Sequence, residues 1–210
     1  MNLLLTGFEP FGESKLNPSE QVVRALERER IAGVELYTAI LPVDRVRGPA
    51  ALLRAVRAAR PDAVVCLGEA ARRVAISIER VAINLLDFRI ADNAGNKATD
   101  EPIVPGAPAA YFCTLPVRAM YDAVRAAGVP AELSLSAGAY LCNQVTYVLL
   151  HDLAQQQLEI PAGFVHLPAL PAQVATRDML LPTMSLETMV LGVRAGIGVI
   201  ARAVAVARAG

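Results

Sequence analysis

Short runs of continuous apolar residues alternate along this chain with longer segments of helical periodicity, and that alternation constrains the fold more than any other feature. Asn2 to Thr6 is a short apolar run closed by Gly7, the mark of a buried strand. Pro18 to Arg30 has helical spacing, with Pro18 near its start and Asn17 as a candidate cap. Val34 to Leu41 reads as a strand, Val46 to Arg60 as a helix, and Ala63 to Leu67 as a second buried strand closed by Gly68. Val74 to Leu86 alternates in part, through Val74, Ile76 and Ile78, and reads as a strand or hairpin. Beyond Leu86 the periodicity is lost as far as Ala109, in a stretch rich in Asp, Asn, Gly and Pro. Loops of that length in compact domains are usually functional or disordered. Order resumes with Tyr111 to Thr114 as a strand, Pro116 to Gly128 as a helix and Ala131 to Ser136 as a strand. A helix over Cys142 to Gln157, a strand over Gly163 to Leu167 and a last helix over Ser185 to Ala207 complete the pattern. The expected fold is α/β, with a mostly parallel sheet covered on both faces. A chain of 210 residues is long enough for one such domain, spanning 1–210, and short for two.

Charge narrows the partners. Lys and Arg together number 20, as do Asp and Glu, so the formal net charge is zero. Phosphate binding needs a basic surface, which argues against nucleic acid and against an anionic membrane. The N-terminal MNLLLTGFEPFG has no basic leader and reads as a strand and loop, not a signal peptide. Met189 to Ala207 is the most lipid-like stretch, but Arg194, Arg202 and Arg208 fall within roughly a third of the helix circumference. A buried helix with one wet edge explains that placement better than a membrane span. Cys66, Cys113 and Cys142 form no CxxC pair and are expected as free thiols in a reducing, cytoplasmic setting. With 54% hydrophobic residues and no net charge, self-association is expected too.

The most informative unit is the strand Ala131 to Ser136, the turn AGAYL, the helix from Cys142 and the strand ending at Leu167. If both strands lie in one parallel sheet, the helix is a right-handed crossover between them. About 15 helical residues span about 22 Å, enough to return the chain to the starting edge. Cys142 at the helix start and His166 at the strand end then share the carboxyl rim, where α/β folds place ligands. A thiol at a helix N-terminus is expected to have a lowered pKa, and the N–H groups beside it to receive an oxyanion. With an imidazole nearby, that is the Cys–His arrangement of acyl transfer. Spacing leaves the bland readings open: Cys142 as a buried small hydrophobe, His166 as a satisfied core histidine.

Other candidates are weaker. Cys66 in AVVCLG and Cys113 in AYFCTL read as core. His151 is nine residues beyond Cys142 on the same helix and points to the opposite side. Two histidines without HExxH give no metal site. GFEPFG lacks the Lys-Ser/Thr of a P-loop and the spacing of a dinucleotide fingerprint, so nucleotide binding is unsupported. Phe8 and Phe11, on the loop after the first strand, form either an apolar ligand slot or core packing.

Several segments in order carry a family resemblance. TGFEPFG with Asn17-Pro18-Ser19, ERVAINLLDFRIADNAG with DEPI, AYFCTLPVRAM, SAGAYLCN and GFVHLPALP together resemble the type I pyroglutamyl peptidase (pyrrolidone-carboxylate peptidase) family. The match runs from Thr6 to about Gln173. The resemblance implies a single α/β/α sandwich with a mixed, mostly parallel sheet. It also implies a cofactor-free cysteine peptidase that removes N-terminal pyroglutamate from peptides, assembled as a homotetramer or homodimer. By motif, Cys142 is the implied nucleophile, His166 the base and Glu79 the carboxylate that orients it. Glu79 also fits a surface strand residue paired with Arg80 or Arg72; spacing does not select it. Arg89 matches an arginine beside the active site, Phe8 and Phe11 match aromatics around the pyrrolidone ring, and Leu141 falls beside the nucleophile among the substrate contacts.

The chain departs from the family pattern at Gly68-Glu69-Ala70-Ala71-Arg72-Arg73, where GQAGGR is common. Glutamine offers a donor and an acceptor to a lactam, whereas an ionised Glu69 only accepts. Phe88 stands for a small residue, Lys97-Ala98 for Gln-Pro, and Tyr140 for Phe. The expectation is retained activity with a raised KM. Two other readings are a non-catalytic binder of lactams or peptides, and a phosphorylase-type transferase, which would need a phosphate loop that the sequence lacks.

Overall fold

The structure, a computed structural model, describes residues 1–175 and 180–209. The strands are β1 (Asn2–Phe8), β2 (Glu35–Leu41), β3 (Ala63–Glu69), β4 (Ile76–Glu79), β5 (Val81–Ile83), β6 (Ala110–Phe112), β7 (Ala131–Ser134) and β8 (Ala162–Leu167). The helices are α1 (Pro18–Leu26), α2 (Arg47–Ala59), α3 (Val117–Ala126), α4 (Leu141–Gln155), α5 (Pro171–Val174) and α6 (Leu186–Ala209). Six strands form the central sheet in the order β2-β1-β3-β8-β4-β7, and β5 pairs with β6 in a separate antiparallel pair.

Alternation along the strands builds two cores. Leu3, Leu5, Val65, Leu67, Ile76, Ile78, Val165 and Leu167 face one side, under α1, α3 and α6. Leu4, Val64, Cys66 and Phe164 face the other, under α2 and α4. Inner strands buried on both faces must be apolar at every position, which is why β1, β3 and β8 read as continuous runs. The expected α/β/α sandwich is therefore present. Asn17 caps α1 by accepting the Ser19 N–H at 3.0 Å, with Pro18 in the first turn. That helix ends at Leu26, four residues short of the Arg30 limit expected from periodicity.

The sequence expectation fails in the direction of two strands. β4 pairs antiparallel with β8, and β7 pairs parallel with β4, so β7 and β8 run in opposite directions with β4 between them. No right-handed parallel crossover joins them. Instead the linker 135–140 turns the chain back to the carboxyl rim, with Gly138 at φ 79°, a left-handed conformation that glycine adopts without strain. Ser136 Oγ accepts the Gly138 N–H, and the Asp87 N–H donates to Ala139 O at 2.9 Å. Val74 to Leu86 divides into β4 and β5 on different sheets, and the four-residue α5 was not anticipated.

The long segment from Leu86 is strapped to the body. Leu86 pairs with Glu101, and Asp92 accepts the N–H groups of Arg45, Ala94 and Asn96. Helix α6 is long and apolar enough to cross a membrane by composition, over Leu186–Arg208 with mean hydropathy 1.8. In this fold Met189, Val193, Ile197, Ile200 and Val204 bury one side of it in the core. Arg194 pairs with Glu29 and Arg208 with Asp62 on its outer edge.

Candidate active site

The carboxyl ends of β3 and β8 and the first turn of α4 meet at one rim. Gly68 and His166 are direct partners across β3 and β8. Residues side by side on adjacent strands face the same side, so His166 shares the α4 face with Phe164, whose ring lies 4.8 Å away centroid to centroid. The Cys142 sulfur lies over the same position: a Cβ on Gly68 would stand 2.9 Å from Cys142 Sγ and 2.6 Å from Phe164 Cζ. Only glycine leaves room for the sulfur beside the histidine's strand partner.

Glu79 completes the cluster from β4. Its side chain is 0% exposed, against 5% for His166. His166 Nδ1 lies 2.7 Å from Glu79 Oε1, and Arg73 Nη1 donates to the same oxygen at 2.8 Å. A carboxylate only accepts, so Nδ1 carries the proton and Nε2 keeps its lone pair, an assignment from the hydrogen-bond network. Glu79 is neither a surface strand residue nor a partner of Arg80 or Arg72. The partner, Arg73, is a residue the sequence reading left without a role; its only signal was its place at the end of the GEAARR segment.

Electrostatics corrects one expectation. Burial pushes the Cys142 thiol up to about 12, with the charges of Glu79 and Glu69 adding to it; the sulfur's contact with its own backbone N–H opposes them. Burial also holds His166 below its usual imidazole range, against the opposing pull of Glu79. Desolvation disfavours the charged form of each group, and here it outweighs the helix terminus. The resting pair is therefore neutral thiol and neutral imidazole. Burial drives Cys66 and Cys113 to about 12 as well, so thiol acidity does not single out Cys142; its place does.

The thiol borders two connected spaces. A small pocket is lined by Phe8, Phe11, Asn17, Val43, Glu69, Tyr140, Leu141 and Cys142. An open cleft beyond it runs along Phe11, Arg72, Arg73, Asp87, Arg89 and the 137–140 turn to Leu181. Phe8 is both core and pocket wall, and Phe11 is half-buried between pocket and cleft. Arg89 stands exposed on the cleft wall. Two of the departures, Phe88 and Tyr140, pack edge to face at 4.7 Å, and the Tyr140 hydroxyl donates to Ala91 O. Glu69 accepts from Gln173 Nε2 at 3.1 Å with both oxygens. Asn17 and Val43 were not anticipated as pocket residues, nor Gln173 as the partner of Glu69; Asn17 reads in the sequence as a helix cap and as part of a family motif.

The head of α4 is fixed and its donors are left open. Asn143 accepts the Ile83 N–H and donates to Ile83 O and Leu85 O, clamping the helix to β5. No side chain among the described residues caps the first turn, which leaves N–H groups there for an incoming oxygen. His151 sits well away from the cluster, bonded to Tyr111 and stacked on Tyr147. Among the described residues no group of His, Cys, Asp and Glu is arranged to hold a metal ion.

A thiol at a helix head, an imidazole and a buried carboxylate on one rim of an α/β/α sandwich define the class of cysteine hydrolases that work by acyl transfer. Comparison with known proteins gives the particular branch. The family model for pyroglutamyl peptidase matches residues 1–203. The chain is 46% identical to pyrrolidone-carboxylate peptidase 1 of Ralstonia nicotianae over 195 residues, 93% of this chain and 90% of that one. It is 48% identical to pyrrolidone-carboxylate peptidase of Gloeobacter violaceus, covering 92% and 93% of the two chains. The solved pyrrolidone carboxyl peptidase of Pyrococcus furiosus superposes with a TM-score of 0.93 at 40% identity, covering 97% of this chain and all of that one. Pyroglutamyl peptidase I of Bacillus amyloliquefaciens gives 0.91 at 34% identity, covering 96% and 97%. This chain belongs to the pyroglutamyl peptidase family.

Proposed function

We propose that this protein is a cysteine peptidase that removes N-terminal pyroglutamyl residues from peptides, with Cys142 as nucleophile, His166 as general base and Glu79 as the group that orients the imidazole. The observation that carries the assignment is the 2.7 Å contact of His166 with a fully buried Glu79, beside a thiol that borders a small, largely apolar pocket. His166 Nε2 takes the thiol proton as sulfur attacks the pyroglutamyl carbonyl carbon. First-turn N–H groups of α4, with Arg89, receive the oxyanion. The C–N bond breaks, the imidazolium protonates the departing amine, and a thioester remains on Cys142. Water then adds to the thioester with its proton taken by His166, the C–S bond breaks to release pyroglutamate, and the imidazolium returns its proton to sulfur, restoring the thiol. Phe8, Phe11, Tyr140 and Leu141 enclose the lactam ring, and the cleft beyond takes the rest of the peptide.

The whole chain acts as one catalytic unit, and it needs no cofactor in this scheme. Three free thiols fit a reducing, cytoplasmic setting. Zero net charge fits a homotetramer or homodimer and disfavours nucleic acid and membrane as partners. The direct test is release of a fluorophore from a pyroglutamyl amide in the presence of reductant. Folded protein that ignores this substrate while cleaving a prolyl or alanyl amide overturns the substrate assignment.

Three further outcomes are expected. Since the resting pair is neutral, kcat/KM falls on the acid side as His166 takes a proton, with a midpoint below its ordinary value of 6.5. Alkylation of Cys142 by iodoacetamide keeps rising to about pH 10, because its thiolate forms only toward 12. An alkylation rate already level at neutral pH would show a preformed ion pair instead. Glu69→Gln lowers KM by about three- to tenfold, because an amide both donates to and accepts from the lactam where a carboxylate only accepts. An unchanged kcat/KM would show that Glu69 does not limit recognition.

A further inference from the structure

We infer that Arg73 is a positioning residue of this site, a single guanidinium that locks the Glu79–His166 pair to the loop presenting the nucleophile. The inference rests on the assignment of Cys142, His166 and Glu79 above. Arg73 lies in the connection from β3 to β4, which passes over the carboxyl end of β8; within it Ala70 N–H donates to Leu167 O and Arg73 N–H to Ala70 O. Its Nη1 donates to Glu79 Oε1, the oxygen that already holds His166 Nδ1. Its Nη2 donates at 2.8 Å to Ser136 O, at the start of the linker that turns back to Cys142.

Both donors crowd onto one carboxylate oxygen, while Glu79 Oε2 is buried without a hydrogen-bond partner among the described residues. Buried carboxylate oxygens normally find donors. The imbalance means that the carboxylate's orientation is set from the Oε1 side, by His166 and Arg73 together. Without the guanidinium, no hydrogen bond among the described residues favours one rotation of the carboxylate except that of the histidine it is meant to orient. Lysine carries the same charge but lacks the planar fork that reaches two acceptors at a fixed angle. The side chain is 24% exposed and borders the cleft, so it meets solvent at one edge and the buried pair at the other.

The charge has its own effect, because a cation beside His166 disfavours the imidazolium. The ionisable groups around the pair are Glu79 on β4, Cys142 on α4, Cys66 and Glu69 on β3, Cys113 after β6, and Glu132 on β7, 3.7 Å from Arg73. Among the described residues Arg73 is the one cation acting on His166 in this cluster.

The test compares Arg73→Met and Arg73→Lys with the wild type and Cys142→Ala on a fluorogenic pyroglutamyl amide, across pH, with thermal unfolding as the check on fold. For Arg73→Met we expect kcat to fall about 10- to 100-fold, as for other groups that orient a catalytic ligand, with KM within about twofold. Its acid limb moves to higher pH, since the opposing cation is gone. Arg73→Lys keeps the wild-type limb and recovers part of kcat; this variant decides the matter if the methionine variant does not fold. Wild-type kcat in both variants, or a loss of kcat with an unmoved limb in Arg73→Met, overturns the inference. Activity surviving in Cys142→Ala would instead sink the underlying site assignment, so the two failures are distinguishable.

Discussion

Cys142→Ala is expected to lower release of a pyroglutamyl amide fluorophore by at least about 10⁴-fold, to the background of the assay. The nucleophile of a covalent mechanism cannot be replaced by its neighbours when they act as a unit, and the other thiols are out of reach. Cys66 is buried in β3 and Cys113 follows β6, and neither borders the pocket or the cleft. The substitution deletes one sulfur atom at a partly exposed position that already sits close to Gly68, so the fold should survive it. The measurement is initial rate at saturating substrate with reductant, beside a thermal melt of each protein. Turnover by the alanine variant would remove Cys142 from the mechanism.

Glu79→Gln is expected to lower kcat by about 10³- to 10⁴-fold with little change in KM. Glu79 touches neither pocket nor cleft, so ground-state binding of the lactam does not pass through it. What changes is the proton on the ring. An amide can turn its NH₂ toward His166 Nδ1, which moves the imidazole proton to Nε2, the atom that must accept from sulfur. The contact that now enforces the correct tautomer is the one at 2.7 Å to Oε1. Steady-state kinetics on the glutamine variant decides it: a kcat within tenfold of wild type would show that the buried carboxylate is structural.

How much of this was legible in the sequence depended on whether the deciding interactions were local. β1, β3 and β8 announced themselves because strands buried on both faces must be apolar throughout. Cys142 and His166 could be placed on one rim from the order of elements, although the route was different: a linker reversal at Gly138 in place of a parallel crossover. Strand direction is set by pairing with residues up to ninety positions away, and Ile76 to Glu79 looks the same in either sense. Glu79 was beyond spacing for the same cause, since its contact with His166 spans 87 positions. The thiol's acidity was misjudged because the argument from the helix terminus is local, while desolvation depends on what the fold packs around the sulfur. Asn17 shows the reverse difficulty: its capping role was plain, and that masked its second position on the pocket wall.

The place of β8 in the sheet has a consequence for the life of the protein before it is finished. It is the last strand to be made, yet it lies between β3 and β4 and carries His166. A chain growing from its N-terminus can pair β1 with β2 and β3, but the strand that brings His166, the proposed base, and closes the gap emerges only near residue 167. Thiol and carboxylate are both translated earlier and have no imidazole between them. The pairing that unites them spans about a hundred residues and belongs to the slow, non-local part of folding. On the proposed roles, a half-made chain holds thiol and carboxylate without their proton acceptor, and hydrolytic power arrives together with the closed sheet.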